Sequence, residues 1–116
     1  MGFGLKRLPA RFYRSDKGRE PVREWLKKLD PVDRRIIGQN IKDVEFSWPI
    51  GMPLVRGLCK GLWKVRSHLT GGKIARVIFT EEHGFMVLLH GFIKKTQKTP
   101  KPDLELALKR KEGGRA

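Results

Sequence analysis

Apolar residues recur along this chain at two different periods, and the change of period divides it. Val22, Trp25, Leu26 and Leu29 follow at helical spacing, and Ile37, Ile41 and Val44 continue as a second stripe of the same kind. Pro21 suits a first helical turn, where a missing N–H costs little. Asp30-Pro31 separates the stripes: Asp30 can cap a second helix and Pro31 can open it. Ser47-Trp48-Pro49 ends it, because the residue before proline avoids the α region. The pair reads as a helical hairpin. From Leu62 the period falls to two. Leu62, Lys64 and Arg66 alternate with Trp63 and Val65, Lys73 to Thr80 is a β-branched and apolar run, and Phe85 to Ile93 is the most apolar segment. Turns at Thr70-Gly71-Gly72 and Glu82-His83-Gly84 join these strands into a three-stranded antiparallel meander.

The flanks are weaker signals. Arg11 to Arg14 reads as a short N-terminal edge strand with Phe12 facing the core, and Ser15 to Gly18 as a turn. The Gly- and Pro-punctuated stretch from Ile50 to Gly61 reads as loop, as does the basic run from Lys94 to Lys101. Pro102 opens a C-terminal helix with Leu104, Ala107 and Leu108 on one face. Residues 1–8 and 112–116 read as flexible ends. Strand, helix, helix, three strands, helix is an α+β order, and 116 residues suit one domain spanning 1–116.

Charge changes the picture more than composition does. The 39% hydrophobic fraction argues against wholesale disorder. Lys and Arg number 26 against 12 Asp and Glu, a formal charge of +14. The excess is uneven: from Arg56 to Lys101 ten basic residues face only Glu81 and Glu82. No apolar run approaches the ~20 residues of a membrane span, and no long basic amphipathic helix is present, so no membrane partner is expected. A polyanion fits better, since neutralising phosphates releases counterions and turns charge into affinity. Nucleic acid is the expected partner, RNA before DNA. Cys59 is the only cysteine, which fits a reducing compartment. Met1 to Leu8 lack an apolar signal region, and a cytoplasmic location is expected.

The histidines are scattered, the cysteine is alone, and no glycine-rich phosphate motif precedes a helix, so neither a metal nor a nucleotide cofactor is expected. Glu81 and Glu82 fall at a turn and read as solvated. What remains is cationic. Lys64 and Arg66 share a strand face, Arg76 lies within the next strand, and His90 and Lys94 share a parity with Met86, Leu88 and Phe92 on the third. Taken alone, His90 reads first as a satisfied core or rim histidine. Lys64, Arg66, Arg76 and Lys94 can line one shallow groove, against the plainer reading of four ordinary surface charges. Such a groove suits RNA cleavage without a metal. The 2′-OH is the nucleophile, cations stabilise the phosphate, and a lysine with a lowered pKa serves as base or acid.

The runs Gly61-Leu62-Trp63-Lys64-Val65-Arg66, Ala75-Arg76-Val77-Ile78-Phe79 and Leu88 through Pro100, with its GF-x-KK-T-x-KTP pattern, resemble the phage-derived HigB-type branch of the RelE superfamily of bacterial toxins. The segment Gly18 to Leu26 also resembles it, so the similarity covers about residues 10 to 110. The resemblance implies a RelE-like fold and a ribosome-dependent mRNA endonuclease. It also implies a cognate antitoxin, often with a helix-turn-helix domain. Carried over by position, Lys64 and Arg66 fall on basic positions of the first meander strand. Arg76 falls on a strand arginine that stabilises the phosphate, and Lys94 or Lys95 near the basic position after the last strand. Some RelE-type toxins place a tyrosine near the C-terminus, whereas the only tyrosine here is Tyr13. The candidate catalytic set is therefore Arg66, Arg76, His90, Lys94 and Lys95, with Lys60, Lys64, Lys73 and Lys98 as RNA-binding residues. The alternative is a non-catalytic nucleic-acid or ribosome-binding protein from a phage or mobile element.

Overall fold

The helical hairpin forms where its caps place it. The Asp30 carboxylate accepts from the Val32 N–H at 2.9 Å, and Pro31 opens the second helix. In the computed structural model, which describes residues 5–94 and 99–113, the elements are β1 (Ala10–Phe12), α1 (Pro21–Lys27), α2 (Pro31–Ser47), β2 (Val55–Gly57), β3 (Leu62–His68), β4 (Ile74–Glu82), β5 (Phe85–Lys94) and α3 (Lys101–Gly113). They form one five-stranded mixed sheet of order β1-β5-β4-β3-β2, in which β1 runs parallel to β5 and the other neighbours are antiparallel. The architecture is α+β, and β3, β4 and β5 are the expected meander. Its turns carry left-handed residues, Gly71 at φ 72° and His83-Gly84 at φ 53° and 81°, as tight reversals demand.

Each sheet face has its own core. One face buries Val65, Ala75, Val77, Phe79, Met86 and Leu88 against Val22 of α1 and Ile37, Ile41 and Val44 of α2. The other buries Leu62, Ile78, Val87, Leu89 and Phe92 against Ala107 of α3, with Leu104 and Leu108 alongside. On the first face Trp25 lies so close to the strand that a Cβ on Gly91 would sit 2.4 Å from its ring. Glycine there is what lets α1 reach the sheet.

Five expectations need correction. The stretch read as loop contains β2, whose pairing with β3 aligns Arg56 with Lys64. The N-terminal strand starts and ends earlier than Arg11 to Arg14: Ala10 already pairs with Met86, whose N–H donates to the Pro9 carbonyl at 2.8 Å. Leu8, placed in a loose end, is 1% exposed, and the N–H groups of Arg7 and Leu8 donate to the Glu45 carbonyl. The last helix runs on to Gly113 rather than fraying before residue 112. Finally, strict alternation along β5 fails. Leu88 pairs with Phe79 but His90 with Ile78, so Leu89 is the extra residue of a bulge. Met86 and Leu88 face the hairpin, whereas Leu89 and Phe92 pack towards α3, where His90 also finds its partner. The spare Leu89 carbonyl accepts from Arg110 Nη1 at 2.8 Å.

Candidate functional site

Strand register builds the site. Arg56, Lys64, Ile78 and His90 lie in one row across β2, β3, β4 and β5, and Arg66, Arg76 and Phe92 form the next. Both rows are on the α3 side of the sheet. Lys64 is 3% exposed and Arg76 0%, while Arg66 is half-buried and Arg56 exposed. Charges this deep are costly unless they are fully bonded. Lys64 Nζ donates to Thr99 Oγ1 at 2.9 Å. Arg76 Nη1 donates to the Lys94 carbonyl at 3.0 Å. Among the described residues, the remaining Arg76 donors, Nε and Nη2, are buried without a hydrogen-bond partner, and so is Arg66 Nε. None of the ion pairs among the described residues reaches Arg56, Arg66 or Arg76.

This crowding shows in the protonation equilibria. Burial, reinforced by the charges of Arg76, Arg56 and Arg66, pushes the Lys64 ammonium down from 10.5 to about 8. Burial and the neighbouring Arg66 also lower Arg76 from the ordinary arginine value. The arrangement can therefore do two things. Its orphaned guanidinium N–H groups can receive the oxygens of an anion such as phosphate. Its lysine can exchange a proton near neutral pH.

His90 stands at the β5 end of the first row. Its Nε2 lies 2.6 Å from Asp103 Oδ1 at the start of α3, and its ring stacks on Phe92 at 5.4 Å between centroids. It is a satisfied, half-buried histidine, and it shares a sheet face with the cations.

The other expected residues divide. Lys94 ends β5 with an exposed side chain, and its carbonyl holds Arg76. Lys60 sits exposed in the β2–β3 turn, at the end of β3 away from Arg66. Lys73 is turned to the hairpin side, 3.6 Å from the Asp33 carboxylate of α2, and is not brought to the cluster. Lys95 and Lys98 lie outside the described residues. Tyr13 lies under Arg110, 5.7 Å from ring centroid to guanidinium, beside a pocket of about 280 Å³ at the far end of α3. Arg56, Thr99 and Asp103 were not anticipated. Val55-Arg56-Gly57, just ahead of the Cys59-Lys60-Gly61 turn and the Leu62 strand, was a readable hairpin signal for Arg56. An acid in a helix's first turn is common, and nothing local marked Asp103.

Among the described residues no helix is long and apolar enough to cross a membrane. No group of three or more His, Cys, Asp or Glu side chains converges there either. Residues 24–112 match the family described as Phage derived protein Gp49-like (DUF891). No curated protein matches the chain.

Proposed function

The chain belongs to the phage-derived Gp49-like family, and we propose that it is the toxin of a toxin–antitoxin pair, an endonuclease that cuts mRNA on the ribosome. The observation that carries this reading is the Arg76 guanidinium, fully buried in the sheet with two donor nitrogens that have no partner among the described residues, beside Arg66 and Lys64. A protein keeps so costly a group where an anion compensates it. The motif resemblance to HigB-type toxins of the RelE superfamily supports RNA as the source of that anion and a RelE-like relationship for the fold.

In this reading Arg76 and Arg66 take the non-bridging oxygens of the scissile phosphate and stabilise the charge that builds there. Lys64, poised near pH 8, accepts the proton of the adjacent 2′-OH as that oxygen attacks phosphorus. Arg56 and Lys94 extend positive charge to either side and hold neighbouring phosphates. A cognate antitoxin, with a helix-turn-helix domain as the resemblance implies, neutralises the toxin in the cell.

Induced expression in bacteria tests the reading. The wild-type chain should arrest growth and leave discrete cuts in translated messages, and co-expression of the neighbouring antitoxin gene should restore growth. Arg76→Ala should abolish both effects at equal soluble yield. Normal growth with intact transcripts, alongside salt-sensitive RNA binding in vitro, would instead establish the non-catalytic RNA binder.

A further inference from the structure

The cationic face is closed. Lys64 is 3% exposed and Arg76 0%, so neither meets an RNA as it stands. The start of the chain's own last helix lies over the Lys64 row. Lys64 Nζ on β3 donates to Thr99 Oγ1 at 2.9 Å, and His90 Nε2 on β5 lies 2.6 Å from Asp103 Oδ1. Lys64, Ile78 and His90 share one row, so the stretch between those two contacts crosses β4 above Ile78, itself 0% exposed. Arg76 is close enough to Lys64 for the two charges to repel.

We infer that Thr99–Asp103 is an autoinhibitory strap: its hydroxyl and carboxylate occupy polar positions that RNA takes, and RNA displaces it to reach the buried cations. The inference rests on the reading of this face as an RNA site and adds how that site is regulated.

Helix α3 is built in two parts. Its body is anchored in the core. Ala107 is buried with Leu108 beside it, and Arg110 Nη1 bonds the Leu89 carbonyl at 2.8 Å. The stretch ahead of that body is held differently. Lys101 and Pro102 are exposed, Thr99, Pro100 and Asp103 are half-buried, and no residue from 99 to 103 belongs to either core. Its ties to the sheet are the polar contacts with Lys64 and His90. Polar contacts exchange for equivalent ones at little net cost, whereas apolar surface once buried is costly to expose. The strap can therefore come away while the body of the helix stays.

The strap also resembles what displaces it. RNA offers hydroxyls and anionic oxygens, and the strap presents a hydroxyl to Lys64 and a carboxylate to His90. A phosphate arriving beside Arg66 and Arg76 repels the Asp103 carboxylate. It also offers Lys64 a charged acceptor, which is stronger than a neutral hydroxyl. Part of the binding energy is then used to open the strap, and the apparent affinity for RNA is lowered by the closed fraction.

The test uses a short single-stranded RNA with 2′-O-methyl groups throughout, which binds without being cut. Thr99→Val keeps shape and net charge but removes the acceptor from Lys64. It should tighten binding of the methylated RNA about 3- to 10-fold and speed cleavage of a natural message on ribosomes by a similar factor. Asp103→Ala should act in the same direction. Glu105→Ala removes an exposed carboxylate from the same helix and should gain less than Asp103→Ala. Amide hydrogen exchange reads the opening itself. Saturating RNA should speed exchange at Leu104, whose N–H donates to the Pro100 carbonyl at 3.1 Å, and leave Ala107 to Lys111 as protected as before.

Unchanged or weaker binding in Thr99→Val, an equal gain in Glu105→Ala, or exchange at Leu104 that RNA slows or leaves unchanged would overturn the strap, while wild-type cleavage of the natural message upholds the endonuclease reading. If the wild-type chain binds the methylated RNA but cuts no message, that reading falls, and the binding and exchange results decide the strap by themselves. A wild-type chain that binds no RNA overturns both.

Discussion

The two faces of the sheet bury charge in opposite ways. On the hairpin side, Asp33 and Glu45 are 3% and 6% exposed, and each is answered. Asp33 accepts from the Thr70 N–H and hydroxyl and pairs with Lys73, and Glu45 accepts from the Ala10 N–H and pairs with Lys6. These carboxylates tie helix α2 to a turn and to the N-terminal strand. On the α3 side, Lys64 and Arg76 are as deeply buried, Arg76 lies beside the like charge of Arg66, and it retains donors with no partner among the described residues. The first arrangement is satisfied within the fold. In the second, Arg76 keeps donors that no described residue accepts, and the proposed function assigns them to a phosphate.

Substituting one charge from each face should break the comparison most sharply. Arg76→Met should cost about 100- to 1,000-fold in cleavage without lowering the melting temperature, because an apolar side chain replaces an unsatisfied buried cation. A large drop in melting temperature would show that Arg76 is structural. Asp33→Ala should do the reverse: it should destabilise by about 1–3 kcal/mol in urea unfolding, since it strands the Thr70 N–H, and leave cleavage per folded molecule unchanged. Gly91→Ala tests the hairpin face without touching charge. Its methyl group would collide with Trp25, and a loss of about 1–3 kcal/mol is expected by the same measurement.

The smallest effect sharpens the comparison through pH. Below about 8 both the folded and the unfolded chain hold the Lys64 proton, but between about 8 and 10.5 only the unfolded chain does. The unfolded state then binds more protons, so stability rises with pH across that window. Lys64→Met should remove this rise, and ¹³C NMR of the lysine side chains should show one residue titrating near 8. In Arg76→Ala that titration should move upward, as a repelling charge is lost.

The hairpin and the meander were legible because local rules decide them: Asp30-Pro31 caps, Trp48-Pro49 stops, and the turns use residues that tolerate left-handed backbone. Arg76 and Lys64 were legible as a pair for the same reason, since strict alternation holds along β3 and β4. It does not hold along β5. The bulge at Leu89 depends on how that strand meets β4 and α3, and no local pattern encodes it. The same limit explains Lys73, whose direction follows from the turn that brings it to Asp33. Arg56 carried a hairpin signal, but Gly51, Pro53 and Gly57 punctuate its segment like a loop and outweigh it, although Val55 and Arg56 pair with β3.

The central claim is that the cationic face cuts RNA with the RNA's own 2′-OH. Identifying the end groups left on a ribosome-bound message tests it most directly. Discrete fragments ending in 2′,3′-cyclic phosphate, with 5′-hydroxyl on the downstream pieces, are the predicted result. An intact message, or fragments bearing 5′-phosphate, would contradict it.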